Sequence, residues 1–176
     1  DPEDHHGVIS AIRAGDISPD QRYAFAKQAF ARTAAYDAAI SNYLYRLDTS
    51  FPPTFTVQYT HGRTLRYGEN PHQEAAVYGD YGIAGAEPIQ GKQMSYNNYL
   101  DVNAGVALLR EFDDPAAVII KHNNPCGVAI GTDVLDAYIL AREVDPVSAY
   151  GSVVCLNREI DTRVADEIAS TFVEVL

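Results

Sequence analysis

Residues 116–120 read AAVII, a continuous apolar run that is followed at once by the polar sequence KHNNPCG at 121–127. A short run of this kind is typical of a strand buried on both faces of a sheet. The apolar spacing at 102–112 and 133–143 predicts a helix on each side of it, and residues 153–156 predict another strand. This alternation predicts an α/β fold in which helices pack on a sheet.

The N-terminal part of the chain has a helical pattern. A short helix over residues 8–14 is expected to end at Gly15, because glycine commonly follows the last helical residue. Ser18, with Gln21 three positions later, predicts a capping box. A long alanine-rich helix is expected to follow over residues 23–45.

The sequence TSFPP at residues 49–53 indicates a linker, because two prolines follow a polar lead. Beyond it, residues 54–59 and 75–78 are rich in β-forming side chains and predict strands. Residues 81–89 are rich in glycine and proline and predict a loop. The later helices, the last of which has Val164, Ile168 and Phe172 on one face, are expected to begin at the polar caps Asp101, Thr132 and Asp161.

The composition limits the classes of function. The net charge is −11, and a strongly acidic protein repels a phosphate backbone, so broad nucleic-acid binding is not expected. No apolar run reaches the roughly 18 residues needed to span a membrane, and the acidic N-terminus has no signal-peptide pattern. Cys126 and Cys155 form no ligand cluster, which is typical of a protein of the reducing cytoplasm.

The ends of the sequence indicate that it is part of a longer protein. The chain begins without methionine and closes on the apolar stretch TFVEVL at 171–176. Natural C-termini are more often polar and frayed. Its 176 residues suffice for one domain, or for one domain with an appendage.

The best chemical candidate is the pair Lys121-His122, which follows directly on the predicted strand. Ligands in open α/β sheets gather beyond the carboxyl ends of strands. A neighbouring ammonium favours neutral imidazole, so His122 is suited to act as a general base near pH 7. Lys121 could then stabilise a developing oxyanion. The alternative is a turn in which Asn124, Pro125 and Gly127 only shape the backbone.

Two further segments carry candidate ligand-binding groups. RYGENPHQ at 66–73 combines a cation with several donors and acceptors, which suits an anionic ligand. Its alternative is a solvated loop with Arg66 in a surface salt bridge. In DPVSAYG at 145–151, Gly151 would permit close backbone approach to a ligand, or the segment is an ordinary turn.

Zinc chemistry is not expected at Cys126. A zinc deaminase needs H-x-E and P-C-x-x-C, whereas His122 is followed by two asparagines and Cys126 by GVA. Cys126 as a nucleophile with His122 as its base is a weaker alternative.

Four segments occur in the same order in the AICAR transformylase/IMP cyclohydrolase family, which this chain resembles over nearly its whole length. AICAR is 5-aminoimidazole-4-carboxamide ribotide. A weaker similarity to the same family lies in RTAAYDAAIS at 32–41. The four segments are RYGENPHQ at 66–73, GKQMSYNN at 91–98, KHNNPCG at 121–127 and DPVSAYG at 145–151.

The resemblance implies an architecture. Residues 1–50 would be the last helices of the cyclohydrolase domain and a helical linker, and residues 54–176 the first subdomain of the transformylase. That subdomain would have a cytidine-deaminase-like three-layer α/β fold, with a mixed sheet and flanking helices but no zinc. The second subdomain would be missing, and the family's site lies at a homodimer interface. The isolated chain is therefore expected to be inactive or nearly so.

The resemblance also implies roles for individual residues. His122 would take a proton from the 5-amino group of AICAR as it attacks the formyl carbon of 10-formyltetrahydrofolate. Lys121 would stabilise charge on the formyl oxygen or on the departing folate nitrogen. Tyr150 replaces the more usual phenylalanine, a change that should preserve packing. The residues implied to contact the nucleotide are Arg66, which would bind its phosphate, Tyr67, Asn124, Gly151 and Glu174.

Two rival functions are open at this stage. The chain could be a non-catalytic nucleotide-binding module that keeps the shape of the pocket. It could also have an assembly role, with residues 1–50 as a helical docking element. Neither rival accounts for four family segments in order.

Overall fold

The structure, a computed structural model, describes residues 4–15 and 17–176, and the chain divides into two compact units, Asp1–Tyr59 and Thr60–Leu176. The helices are α1 (His5–Ala14), α2 (Pro19–Asp48), α3 (Tyr96–Leu109), α4 (Val134–Val144), α5 (Pro146–Ala149) and α6 (Thr162–Ala169). The strands are β1 (His61–Thr64), β2 (Ala76–Tyr78), β3 (Ala116–Lys121), β4 (Asn124–Ile130), β5 (Ser152–Leu156) and β6 (Val173–Val175).

The helices of the first unit confirm the predicted start and stop signals. Gly15 follows α1 with a φ of 125°, which suits a glycine. The Ser18 hydroxyl accepts from the Gln21 N–H at 3.2 Å, and the Gln21 side chain accepts from the Ser18 N–H at 3.0 Å. This capping box begins the long helix α2.

The strand predicted at 54–59 is wrong, because this segment has no regular secondary structure and lies in no sheet. It is instead tied to α2 by the side chain of Asn42. The Asn42 amide donates to the Thr56 carbonyl at 2.7 Å and accepts from the Thr56 N–H at 3.2 Å. The pattern of β-forming residues therefore did not produce a strand here. The first strand is β1, which pairs antiparallel with β2 and so confirms the strand predicted near 75–78.

The core of the second unit is a four-stranded mixed sheet in the order β4-β3-β5-β6. β3 pairs antiparallel with both β4 and β5, whereas β5 and β6 are parallel. Residues 116–120 of the central strand are each exposed by 1% or less. Ala117 and Ile119 pack with α4 and α6 on one face, and Val118 and Ile120 pack with α3 on the other. Helices therefore cover both faces, which confirms the predicted α/β class.

Strand β4 was not predicted from the sequence, where a turn that includes Asn124, Pro125 and Gly127 was the alternative interpretation. β4 lies at the edge of the sheet, and Pro125 pairs with Ile120 where the register of the hairpin shifts. Proline is tolerated at edges and bulges because its missing N–H breaks no essential ladder bond. Gly127 lets α4 approach the strand: a Cβ at this position would lie 1.9 Å from the Ala141 carbonyl oxygen.

Two of the three predicted helix caps are wrong. α3 begins at a Ser95–Asn98 capping box, so Asp101 lies inside the helix. Asp133, rather than Thr132, caps α4 by accepting from the Asp136 N–H at 2.9 Å. Asp161 caps α6 as predicted.

The last helix is shorter than its apolar pattern suggested. α6 ends at Ala169, so Phe172 lies beyond it, with its ring 5.7 Å from that of Tyr150. Across the described ranges, no helix is long and apolar enough to cross a bilayer.

Candidate functional site

Lys121 and His122 lie at a tight hairpin turn between β3 and β4. Lys121 is the last residue of β3 and pairs with Asn124, so only His122 and Asn123 form the turn. Both have positive φ angles, 53° and 62°. Two-residue turns of this kind match the twist of the strands, and histidine and asparagine are among the non-glycine residues that tolerate such angles. The turn leaves the His122 side chain exposed.

The turn is held by two polar side chains. The Asp101 carboxylate on α3 accepts from the Asn123 N–H at 2.6 Å. The Asn124 side chain donates to the His122 carbonyl at 2.9 Å. Asn124, which the sequence placed among nucleotide contacts, therefore supports the backbone of the turn in this structure. Asp101 had been interpreted only as a helix cap, and no sequence signal joined it to the turn.

The Lys121 ammonium lies against the end of α5. Its Nζ donates to the Tyr150 carbonyl at 2.5 Å. Asp145 begins the same short helix and accepts from the Ser148 N–H at 3.0 Å and from the Ser148 hydroxyl at 2.6 Å. These bonds hold the pKa of Asp145 below its ordinary value, with a smaller contribution from the charge of Lys121. The segment 145–151 thus provides a negative environment for the ammonium.

Gly151 joins α5 to β5 in a conformation that favours glycine. Its φ is 70°, and its N–H donates to the Phe172 carbonyl at 2.7 Å. A Cβ at this position would lie 3.5 Å from the Phe172 ring, which is ordinary contact. The positive φ angle, rather than lack of space, is therefore what requires glycine here.

Arg66, Tyr67 and Glu174 form a second group. The Arg66 guanidinium is 3.2 Å from a Glu174 carboxylate oxygen and 3.3 Å from the Tyr67 hydroxyl, and it lies 4.9 Å from the centre of the Tyr67 ring. The hydrogen bond with Glu174 raises the pKa of Arg66 above its ordinary value. The side chains of Arg66 and Glu174 are about one-third exposed, 32% and 31%. Arg66 therefore takes part in a salt bridge, as the alternative interpretation of this loop expected.

The backbone of Arg66 and Tyr67 is fixed beside the start of α3. The Arg66 N–H donates to the Met94 carbonyl at 3.1 Å, and the Tyr96 N–H donates to the Tyr67 carbonyl at 3.1 Å. The Asn97 side chain donates to the Glu69 carbonyl at 3.0 Å. The structure thus brings together the segments 66–73 and 91–98, which are distant in sequence.

The two groups meet along the ladder between β5 and β6. Gly151 precedes Ser152, and Ser152 pairs with Val173, the neighbour of Glu174. The predicted residues therefore cluster as two adjacent groups around one end of β5.

Cys126 is poorly suited to be a nucleophile. Its thiol lies 3.5 Å from the Ile119 carbonyl oxygen, to which it donates, and burial raises its pKa. Because the thiolate is the reactive form, a raised pKa lowers reactivity near pH 7. Within the described residues, no group of three or more His, Cys, Asp or Glu side chains is arranged to hold a metal ion.

We predict that both cysteines of the folded chain react slowly with iodoacetamide near pH 7 and faster as the pH rises. Cys155 should be the slower of the two, because burial raises its pKa to about 11 and its side chain is 8% exposed. Mass spectrometry of alkylated peptides between pH 7 and 10 measures both rates. In guanidinium the two rates should converge, and rapid alkylation of Cys126 at pH 7 in the folded chain would contradict the prediction.

Comparison with known proteins places the chain beside one group of enzymes. The family described as AICARFT/IMPCHase bienzyme matches residues 1–176. The chain is 48% identical over 190 residues to the bifunctional purine biosynthesis protein PurH of Magnetococcus marinus. It is 45% identical over 182 residues to PurH of Thermoanaerobacter sp. and 47% identical over 186 residues to PurH of Persephonella marina. In each case the whole chain is aligned and spans 36% of the relative's length.

Proposed function

The chain belongs to the AICARFT/IMPCHase bienzyme family, and on that premise we propose that it carries part of a formyl-transfer site of purine (IMP) biosynthesis. The reaction moves a formyl group from 10-formyltetrahydrofolate to the 5-amino group of AICAR, giving FAICAR. The complete protein would also have IMP cyclohydrolase activity. The observation that supports the transferase site best is the Lys121-His122 pair at the hairpin turn, with the nucleotide-binding candidates around the same end of β5.

The proposed chemistry uses each member of the pair once. The amino nitrogen of AICAR attacks the formyl carbon, His122 accepts the amine proton, and the bond from that carbon to the folate nitrogen breaks. Tetrahydrofolate leaves as its nitrogen takes up the proton that left the amine, so that protons balance and the base returns to its neutral form. An ammonium has three donors, so Lys121 can keep its bond to Tyr150 and still donate to the formyl oxygen as negative charge develops there.

The exposed position of His122 suits this role. A general base must come within hydrogen-bond reach of the proton that it removes. The imidazole is exposed at the turn, whereas Lys121 is partly buried against the 145–151 segment. The pair therefore offers a base that substrate can reach beside a cation whose position is fixed.

We propose that the second group binds the nucleotide. Arg66 would take the phosphate, with Tyr67, Gly151 and Glu174 around the rest of the molecule. Arginine suits a phosphate because its planar guanidinium can donate two parallel hydrogen bonds. A bound phosphate would compete with Glu174 for Arg66, which would free the carboxylate to accept from hydroxyl groups of the ligand.

We predict that Arg66→Ala raises the KM for AICAR by roughly 10- to 100-fold, since hydrogen bonds to charged groups contribute about 1.5–3 kcal/mol each, and that kcat changes less. Steady-state kinetics on the complete gene product measure both constants. Arg163→Ala is the matched control, because Arg163 is 66% exposed and pairs with Asp161 at 2.9 Å, on α6. Equal effects of the two substitutions would count against a phosphate role for Arg66.

The wider architecture is part of the same proposal. Residues 1–50 would belong to the end of the cyclohydrolase domain and its linker, and residues 54–176 to the first transformylase subdomain, of cytidine-deaminase-like fold. The mixed sheet with helices on both faces supports this assignment. The complete enzyme would be a cytoplasmic homodimer that uses no zinc, and the 176-residue chain alone would be inactive or nearly so.

Formation of FAICAR by the complete gene product tests the function. Incubation with AICAR and 10-formyltetrahydrofolate should yield tetrahydrofolate in an amount equal to the sum of FAICAR and the IMP formed from it, measured by chromatography and by absorbance of the folate. Binding of AICAR without turnover would favour the non-catalytic nucleotide-binding alternative.

A further inference from the structure

The Asp101 carboxylate forms a bridge between helix α3 and the turn that carries His122. Its Oδ1 accepts from the Asn123 N–H at 2.6 Å, although the two residues are 22 positions apart. Hydrogen bonds to an ionised acceptor are shorter and stronger than those between neutral groups. A single carboxylate therefore contacts the backbone immediately beyond the candidate base.

The turn needs such support because of its backbone conformation. His122 and Asn123 both have positive φ angles, which are unfavourable for residues with a Cβ. The usual turn of this shape contains glycine at the second position, whereas this one has Asn123. Residues held in such conformations persist where surrounding contacts determine them, and the Asp101 bond is one of those contacts.

Helix α3 is a firm support for the carboxylate. Its N-terminus is fixed by the Ser95–Asn98 capping box. Gly105 packs closely on β5, since a Cβ there would lie 2.5 Å from the Cys155 sulfur. Leu109 is buried at its other end. The position of the turn is thereby set by the helix as well as by the pairing of β3 with β4.

We propose that Asp101 is a positioning residue for formyl transfer, which holds the β3–β4 turn so that His122 is presented to the substrate. The effect on turnover rests on the proposed function, whereas the bridge itself does not. Asp101 acts through the backbone of Asn123. The proposed nucleotide contacts Arg66 and Tyr67 are held by backbone bonds to Met94 and Tyr96 and not by the Asp101 side chain, so loss of Asp101 should change turnover more than nucleotide binding.

The test compares three variants of the complete gene product. Asp101→Ala removes the acceptor, and Asp101→Asn keeps a neutral oxygen in its place. Asp161→Ala removes a similar bond, from a carboxylate to the Val164 N–H at 3.1 Å, at the start of α6. Hydrogen exchange of a peptide covering the turn reports on the bond from the Asn123 N–H to Asp101. Pro125 has no N–H, so few other amides of such a peptide contribute to the signal. Steady-state kinetics report kcat and the KM for AICAR.

Asp101→Ala should speed exchange in the turn peptide and lower kcat by roughly 10- to 100-fold, the scale expected from misplacing a catalytic group. The KM for AICAR should change less than threefold, Asp101→Asn should recover most of kcat, and Asp161→Ala should leave turn exchange and kcat unchanged. Unchanged exchange in Asp101→Ala would overturn the bridge, and faster exchange with unchanged kcat would overturn the positioning role. If the wild type makes neither FAICAR nor IMP, the proposed function fails, and with it the positioning role, while turn exchange still decides whether the bridge exists.

Discussion

Replacing His122 with alanine is expected to lower kcat for formyl transfer by roughly 10²- to 10⁴-fold, the usual contribution of a positioned general base. The imidazole is exposed at the hairpin turn, so its removal leaves no buried cavity. The KM for AICAR should change little, because the proposed phosphate contact is made by Arg66. The measurement is steady-state FAICAR formation by the complete gene product, together with AICAR binding by calorimetry.

A second histidine provides the control for this variant. His6 lies exposed in α1, and His6→Ala should leave kcat within a factor of two. Because His122 has a φ of 53°, His122→Gly tests whether backbone strain contributes to the loss. His122→Gly should be as inactive as His122→Ala if the imidazole is the catalytic base. Turnover near the wild-type rate in either His122 variant would exclude His122 as the base.

Gly127→Ala should destabilise the second unit more than any other single-methyl change near the site. The added Cβ would lie 1.9 Å from the Ala141 carbonyl oxygen and 2.8 Å from its carbonyl carbon, and this is backbone of α4 that cannot rotate away. Overpacking typically costs about 1–3 kcal/mol and sometimes more. We expect the free energy of unfolding to fall by at least about 3 kcal/mol, which lowers Tm by roughly 6–12 °C for a chain of this size.

Thermal unfolding of the 176-residue chain, followed by circular dichroism, measures this effect. Gly7→Ala is the matched control, because nothing lies within 4 Å of a Cβ at that position in α1. That substitution should leave Tm unchanged or raise it slightly, since alanine is the better helix former. A Tm for Gly127→Ala within 2 °C of the wild type would show that α4 does not pack so closely on β4.

The sequence predicted correctly those elements whose conformation in the fold is the one that their local sequence pattern favours. The apolar run at 116–120 became the buried central strand, and Gly15, Ser18 and Asp161 perform the local tasks for which such residues are suited. These signals act within a few residues, so they can be read without knowledge of the rest of the fold.

The failures occurred where distant contacts override local preference. Pro125 and Gly127 resemble turn residues, yet they lie in an edge strand whose pairing with β3 and packing under α4 determine its conformation. The segment 54–59 has the pattern of a strand but bonds to Asn42 of a helix. The partners of these two segments, β3 and α4 for the first and Asn42 for the second, could not be identified from short-range periodicity.

The candidate site also combines residues that local sequence signals indicate with contacts between distant residues that they do not. Lys121 and His122 are candidates on sequence alone, because they follow a recognisable strand within a family segment, and their catalytic role stays a prediction. The bond from Asp101 to Asn123 was not foreseen, because it joins residues 22 positions apart and Asp101 had a plausible local role as a cap. The pairing of Arg66 with Glu174, 108 positions apart, was likewise not predictable from the sequence, because it depends on the position of β6 beside β5.

The measurement that tests the central claim most directly is the turnover of AICAR and 10-formyltetrahydrofolate by the complete gene product, with product identified by mass spectrometry. The account predicts tetrahydrofolate in an amount equal to the sum of FAICAR and the IMP formed from it, from an activity that His122→Ala nearly abolishes while AICAR binding persists. AICAR binding with neither FAICAR nor IMP formed by the wild type, or product formation that is unaffected by His122→Ala, would contradict it.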